Sequence, residues 1–155
     1  MEYNQQIQTF TTGSQLRLKV RFDYRGTAKR GRVLKTGLSE IQAAEAVREQ
    51  KANYLRNVPI QGIHIEDIDM SLEVYNVFDD LANEKAGFAP LTIVVTADSI
   101  EDALRFVMKE EFRKVEVLEP AEFHLSKLDI ERLLFSVNDE IKSYRMYLQR
   151  KMDNY

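Results

Sequence analysis

His64-Ile65-Glu66-Asp67-Ile68-Asp69 is the cluster whose residue types could ligate a metal. Side chains two apart on an unbroken strand share a face, so His64 and Glu66 would offer an imidazole and a carboxylate to a hard or borderline cation. No third ligand is identifiable from the sequence. The chain has no cysteine, which removes disulfides, thiolate zinc sites and thiol nucleophiles together. His64 and Glu66 thus define a small metal-dependent enzyme as the third-ranked function, with no cofactor otherwise expected. His124 stands near Pro120 and Phe123, where packing is the ordinary role.

The second chemistry is charge. Arg17, Lys19, Arg21 and Arg25 alternate with Leu18, Val20, Phe22 and Tyr24, and Lys29, Arg30, Arg32 and Lys35 follow. The nineteen residues from Arg17 to Lys35 carry eight basic and one acidic side chain, a net of +7 in a chain of net −3. On a strand, successive cations of one face lie about 6.8 Å apart, near the phosphate spacing of a single nucleic-acid strand. Phe22 and Tyr24 fall on the apolar side, so base stacking is not offered and binding would be phosphate-led. Asp67, Asp69, Ser71 and Glu73 form an acidic ribbon of the same period. If the two strands are neighbours, cross-strand pairs worth roughly 0.2–1 kcal/mol each neutralise the patch. Structural pairing is the first reading of the ribbon, a protein or dimer contact the second, and nucleic acid the third.

Other catalytic templates are poorly met. Gly26 to Val33 has the glycine spacing of a phosphate-binding loop, but Arg32 and Val33 stand where that loop needs Lys and then Ser or Thr. There is no G-x-S-x-G elbow, no H-E-x-x-H and no dinucleotide fingerprint. The carboxylate pairs Asp79-Asp80 and Glu110-Glu111 are sequence neighbours, which do not face one another on a helix. The balance favours a non-enzyme.

The elements that would position these residues follow from periodicity. Residues 15–25 alternate strictly and predict a strand; Gly26-Thr27 predicts a turn, with about 28–36 returning as a hairpin partner. Residues 1–14 could add an edge strand through Ile7, Thr9 and Thr11. Ser39 and Gln42 form a capping box for a helix from Glu40 to about Leu55, with Ile41, Ala44, Val47, Tyr54 and Leu55 buried. Ile63 and Ile65 change phase with Ile68, Met70, Leu72 and Val74, which predicts a bulge near Glu66-Asp67. Residues 75–90 read as a short helix and a loop. Leu91 to Thr96 reads as a buried strand, and Asp98 with Glu101 as the cap of a helix burying Ile100, Ala103, Leu104, Val107 and Met108. Lys114 to Leu118 reads as the next strand, closing a βαβ unit.

Ser126 should cap a last helix reaching about Met152. Ile130, Leu134, Val137, Ile141, Tyr144 and Leu148 step by four and three along it, the spacing of a narrow seam. Two placements compete: the helix packs across the sheet, or Ile141, Tyr144 and Leu148 pair it with a second copy.

Ile100-Glu101-Asp102-Ala103-Leu104 and Val115-Glu116-Val117-Leu118-Glu119-Pro120-Ala121-Glu122-Phe123 give a helix, a strand and an E-P-x-E turn into a final helix. Over residues 98–125 this resembles the C-terminal extension domain of WYL-type bacterial transcription regulators, with Arg113-Lys114 where the family has glycine and His124 where it tends to have arginine. The resemblance implies a ferredoxin-like regulatory module and assigns no functional residue.

The expectation is an α+β protein, a ferredoxin-like sheet with helices mainly on one face and a long C-terminal helix. It is a single domain over 1–155, with a seam at 76–90 between a ββαβ half (15–75) and a βαβα half (91–155). No apolar run approaches the roughly 18 residues of a membrane span, and the start carries no apolar leader, so the expected address is cytoplasmic. The expected function is a non-catalytic interaction, assembly or regulatory module acting as a homodimer or with a protein partner. The alternative is a nucleic-acid-binding protein using Arg17, Lys19, Arg21, Arg25, Lys29, Arg30 and Arg32.

Overall fold

The computed structural model of the chain describes residues 15–27, 39–81 and 83–154. Its elements are β1 (Leu16–Thr27), α1 (Glu40–Asn57), β2 (Ile63–Asp69), β3 (Tyr75–Asp79), β4 (Glu84–Ala97), α2 (Ile100–Val107), β5 (Phe112–Glu119) and α3 (Lys127–Asp153). The fold is α+β, with a five-stranded antiparallel sheet of order β2-β4-β1-β5, and β3 pairs with β4 beyond the end of β2. The expected edge strand in 1–14 and the hairpin partner at 28–36, with Lys29, Arg30, Arg32 and Lys35, lie outside the described residues.

The strand order corrects the direct pairing of the basic and acidic strands. β1 and β2 both run antiparallel to β4, so β4 separates the basic strand from the acidic one. Likewise β4 and β5 run parallel to each other with β1 between them. Each strand–helix–strand unit therefore leaves a one-strand gap that the other unit fills. Sequence periodicity reports which face a residue takes and carries nothing about lateral neighbours.

Two local readings also change. Gly26 does not turn the chain: it continues β1 and pairs with Gly87 of β4. A Cβ on Gly26 would come within 2.0 Å of the Ala44 backbone nitrogen, and one on Gly87 within 2.3 Å of the Glu40 carbonyl oxygen. The first turns of α1 therefore rest directly on the sheet backbone, which bare glycines alone allow. Residues 75–90, read as helix and loop, instead hold β3 and the first half of β4, turning at Asn83 with φ 50°. Tyr75, Val77 and Phe78 are strand formers, and their period is too short to separate the two readings.

Pro90 interrupts nothing, although it lies in the middle of the central strand β4. β2 pairs with residues 92–97 of β4 and β3 with residues 84–88, so Pro90 sits in the gap between them. Its carbonyl accepts from Arg48 of α1 at 3.2 Å, and the same guanidinium donates to the Leu72 carbonyl at 3.0 Å. A residue without an N–H is tolerated where no strand partner needs one. One cation from the helix layer fills the break.

The remaining boundaries follow expectation closely. Ser39 and Gln42 form the capping box of α1, Ser126 caps α3 with Asp129, and the β2 register shifts between Ile65 and Asp67. α2 differs by one residue: Ser99, not Asp98, is its N-cap. The core lies between the sheet and the helices, with Val20, Leu91, Ile93 and Val95 fully buried. Each such side chain is worth about 1.5–3 kcal/mol. α1 buries Ala44 and Ala52, while Tyr54 is exposed; α2 buries Ala103 and Phe106, while Met108 is exposed. Phe106 meets the Phe22 ring edge-on at 5.6 Å, a tertiary contact that helical spacing does not reveal.

Candidate functional site

The open face of the sheet carries the β1 part of the basic ribbon, and its three arginines are already engaged. Arg17 Nε donates to Glu66 Oε2 at 2.7 Å, and Glu66 Oε1 accepts from Thr96 Oγ1 at 2.7 Å. Arg17 also lies 3.8 Å from Glu119. The acid of β2 is thus reached across β4, with Thr96 bridging. Arg25 meets Asp79 at 3.1 Å and Glu84 at 3.6 Å, both supplied by the β3–β4 hairpin. Lys19 lies opposite Glu116 in the β1–β5 register. Arg17 and Arg25 thus draw acids from β2, β3, β4 and β5, where alternation points to one acidic strand.

At the centre of this face, Asp23 is 2% exposed. Alternation places it on the wet side, but side chains from three strands cover it. Arg21 holds both carboxylate oxygens at 2.8 and 3.0 Å, and the Tyr75 hydroxyl donates at 2.6 Å. The Arg113 Nε stands at 3.8 Å. Tyr75 stacks on Phe88 at 5.4 Å, and Arg113 lies over the same ring at 5.7 Å. Hydrogen bonding to Asp23 raises the Arg21 pKa, while burial and then the Asp23 hydrogen bond raise that of Tyr75. Both shifts favour the protonated donors that the carboxylate needs. A lone acid among cations at 17–25 was the available signal.

The proposed metal pair is divided between two networks. His64 Nε2 lies 3.0 Å from Asp98 Oδ1, which also accepts from Gln15 at 3.3 Å. Glu66 is held by Thr96 and Arg17, and these hydrogen bonds lower its pKa, the Thr96 contribution being the larger. Among the described residues, no group of three or more His, Cys, Asp or Glu side chains is placed to hold a metal ion.

α3 is the opposite of the sheet face. It runs 27 residues, about 40 Å, and buries no residue. Its main neighbour is α2. Glu131, Arg132, Phe135 and Ser136 line the cleft against α2, and Leu133 and Val137 of α3 are half-buried; the other five seam residues are Ile130, Leu134, Ile141, Tyr144 and Leu148. All five are exposed, Leu134 by 65%. The expectation that α3 packs across the sheet is therefore overturned. On the sheet, Val115 and Val117 of β5 are also left uncovered. The helix changes sign along its length: 127–140 carries a net −2 and 141–153 a net +3. No helix among the described residues is long and apolar enough to cross a membrane.

Comparison with protein families, curated proteins and solved structures finds no match to this chain.

Proposed function

We propose that the chain is a ferredoxin-like, non-catalytic assembly module that pairs with a second copy of itself through α3. The exposed seam on a helix with no buried residue carries the reading. An apolar stripe of this length in water is stabilised by covering it. An antiparallel partner suits the sign change, since each acidic half then lies along a basic half. In that register Ile130 faces Leu148 of the second copy, Leu134 faces Tyr144, and Val137 faces Ile141, so all six seam residues meet. Glu131 lies near the second copy's Arg145. Glu140 meets its own symmetry mate at the centre, an unfavourable contact. The interleaved strand order β2-β4-β1-β5 supports the ferredoxin-like assignment.

Sedimentation equilibrium tests the pairing: the reading expects a dimer, and a monomer at high concentration overturns it. The basic segment 17–35 is tested separately by titrating RNA and DNA binding against salt. Affinity that falls steeply with salt would transfer the function to the phosphate-led alternative, and no binding at low salt would end that alternative.

A further inference from the structure

A cavity of about 440 Å³ opens on the helix side of the sheet, between the C-terminal half of α1, α2 and the turn before β5. Its volume lies within the roughly 300–1,000 Å³ of small-molecule sites. Phe22, Ile63, Ile93 and Phe106 make an apolar floor. Tyr24 also lines it; the residue is 7% exposed, and its hydroxyl meets no hydrogen-bond partner among the described residues. No buried side-chain polar atom among the described residues lacks a partner, so this hydroxyl, which makes no bond within the protein, opens on the cavity and is free to donate to a ligand. Burial, with the Glu111 charge nearby, pushes its pKa up and keeps it protonated.

The charged rim narrows the acceptor's chemistry. Arg105 is tied to Asp102, which also accepts from Ser99. Lys51 and Lys109 remain without an ion pair among the described residues, and Glu111 is the one acid facing them. Two ammonium groups against one carboxylate leave a net +1. That charge matches a monoanion, whereas a dianionic phosphate would be left in excess.

We propose that this cavity binds a small carboxylate with an aryl or branched-alkyl body. The body lies on the apolar floor, and the carboxylate accepts from the Tyr24 hydroxyl and a lysine ammonium. The site is independent of the α3 seam.

The test uses the full chain with 13C-labelled isoleucine methyls, titrated with 4-phenylbutyrate, its neutral amide and phenyl phosphate. Saturating shifts are expected at Ile60, Ile63 and Ile93, with Ile130 and Ile141 on α3 unmoved. The amide should bind about tenfold more weakly, the loss of one charge-assisted hydrogen bond, and phenyl phosphate no better than the carboxylate. Tyr24→Phe and the exposed pair Lys51→Gln/Lys109→Gln should each weaken the carboxylate about tenfold, while the lysine pair leaves the amide unchanged. Should Tyr24→Phe fail to fold, the lysine pair still decides. No saturable shift at millimolar ligand, equal binding of acid and amide, or shifts confined to α3 would each overturn the proposal.

Discussion

The open face of the sheet and the seam of α3 are the two conspicuous surfaces of this protein, and they differ in whether the fold completes them. The ribbon of β1 looks like a binding surface in sequence, yet Arg17, Arg21 and Arg25 each meet a carboxylate within 3.1 Å. The seam of α3 looks like an ordinary core stripe, yet five of its six residues are exposed and Val137 alone is half-buried. Charge can be satisfied by long side chains reaching across a strand, as Arg17 reaches Glu66 past β4. An apolar stripe has no such reach and needs a surface laid against it. Unfilled demand therefore sits on the helix.

The sharpest break of that contrast is Ile141→Asp with Leu148→Asp. Each substitution removes an apolar side chain worth about 1.5–3 kcal/mol when buried, and a dimer loses each twice, so dissociation should rise by more than about a thousandfold. Sedimentation should then report a monomer whose sheet melts as before. A dimer that persists would show that the seam is not the interface.

Gly26→Ala should do the reverse, damaging the protomer while leaving the seam intact. Its Cβ would strike the Ala44 backbone, and overpacking of this kind costs about 3 kcal/mol in urea unfolding. Asp23→Asn comes next. Breaking a fully buried pair costs about 3–5 kcal/mol, but Arg21 and Arg113 are about two-fifths exposed, so about 2 kcal/mol is expected here. Lys19→Gln, on the same face, should leave the urea midpoint in place.

A smaller effect sets the orientation of the helices. Glu140→Gln relieves the central like-charge contact of an antiparallel pair, so dimerisation should tighten a few-fold. In a parallel pair Glu140 would lie near Arg145 of the second copy, and the same change would loosen the dimer. The least effect expected is at acid pH. The folded pKa of Glu66 is lowered, so its contribution is present above the ordinary carboxylate range and is lost as pH falls through the folded value. Glu66→Gln should make the acid limb of the stability curve shallower; an unchanged limb would show that the Arg17–Glu66–Thr96 contact is inert.

Much of this was legible in the chain. The alternation of Leu16 to Tyr24, the boxes at Ser39 and Ser126 and the bulge after Ile65 were all readable, because each depends on residues close in sequence. β3 is not legible in the sequence because a five-residue strand carries too few periods. Gly26 carries a turn signal in sequence but serves an approaching helix, which no local pattern announces. Asp23 and Tyr24 sit side by side, and alternation gives one the wet face and the other the buried one. Their roles come from Tyr75 and Arg113 over the first and the cavity beside the second.

Local pattern in the chain sets the faces: which side of β1 is charged, which stripe of α3 is apolar, and where the helices begin. Those are consequences of period and capping, set within a few residues. The tertiary structure alone decided the neighbours. Placing β4 between the basic and acidic strands, drawing counter-charges from four strands and leaving α3 against α2 depend on contacts between residues far apart in the chain. Sequence spacing carries the direction of a side chain and is silent about what stands opposite it.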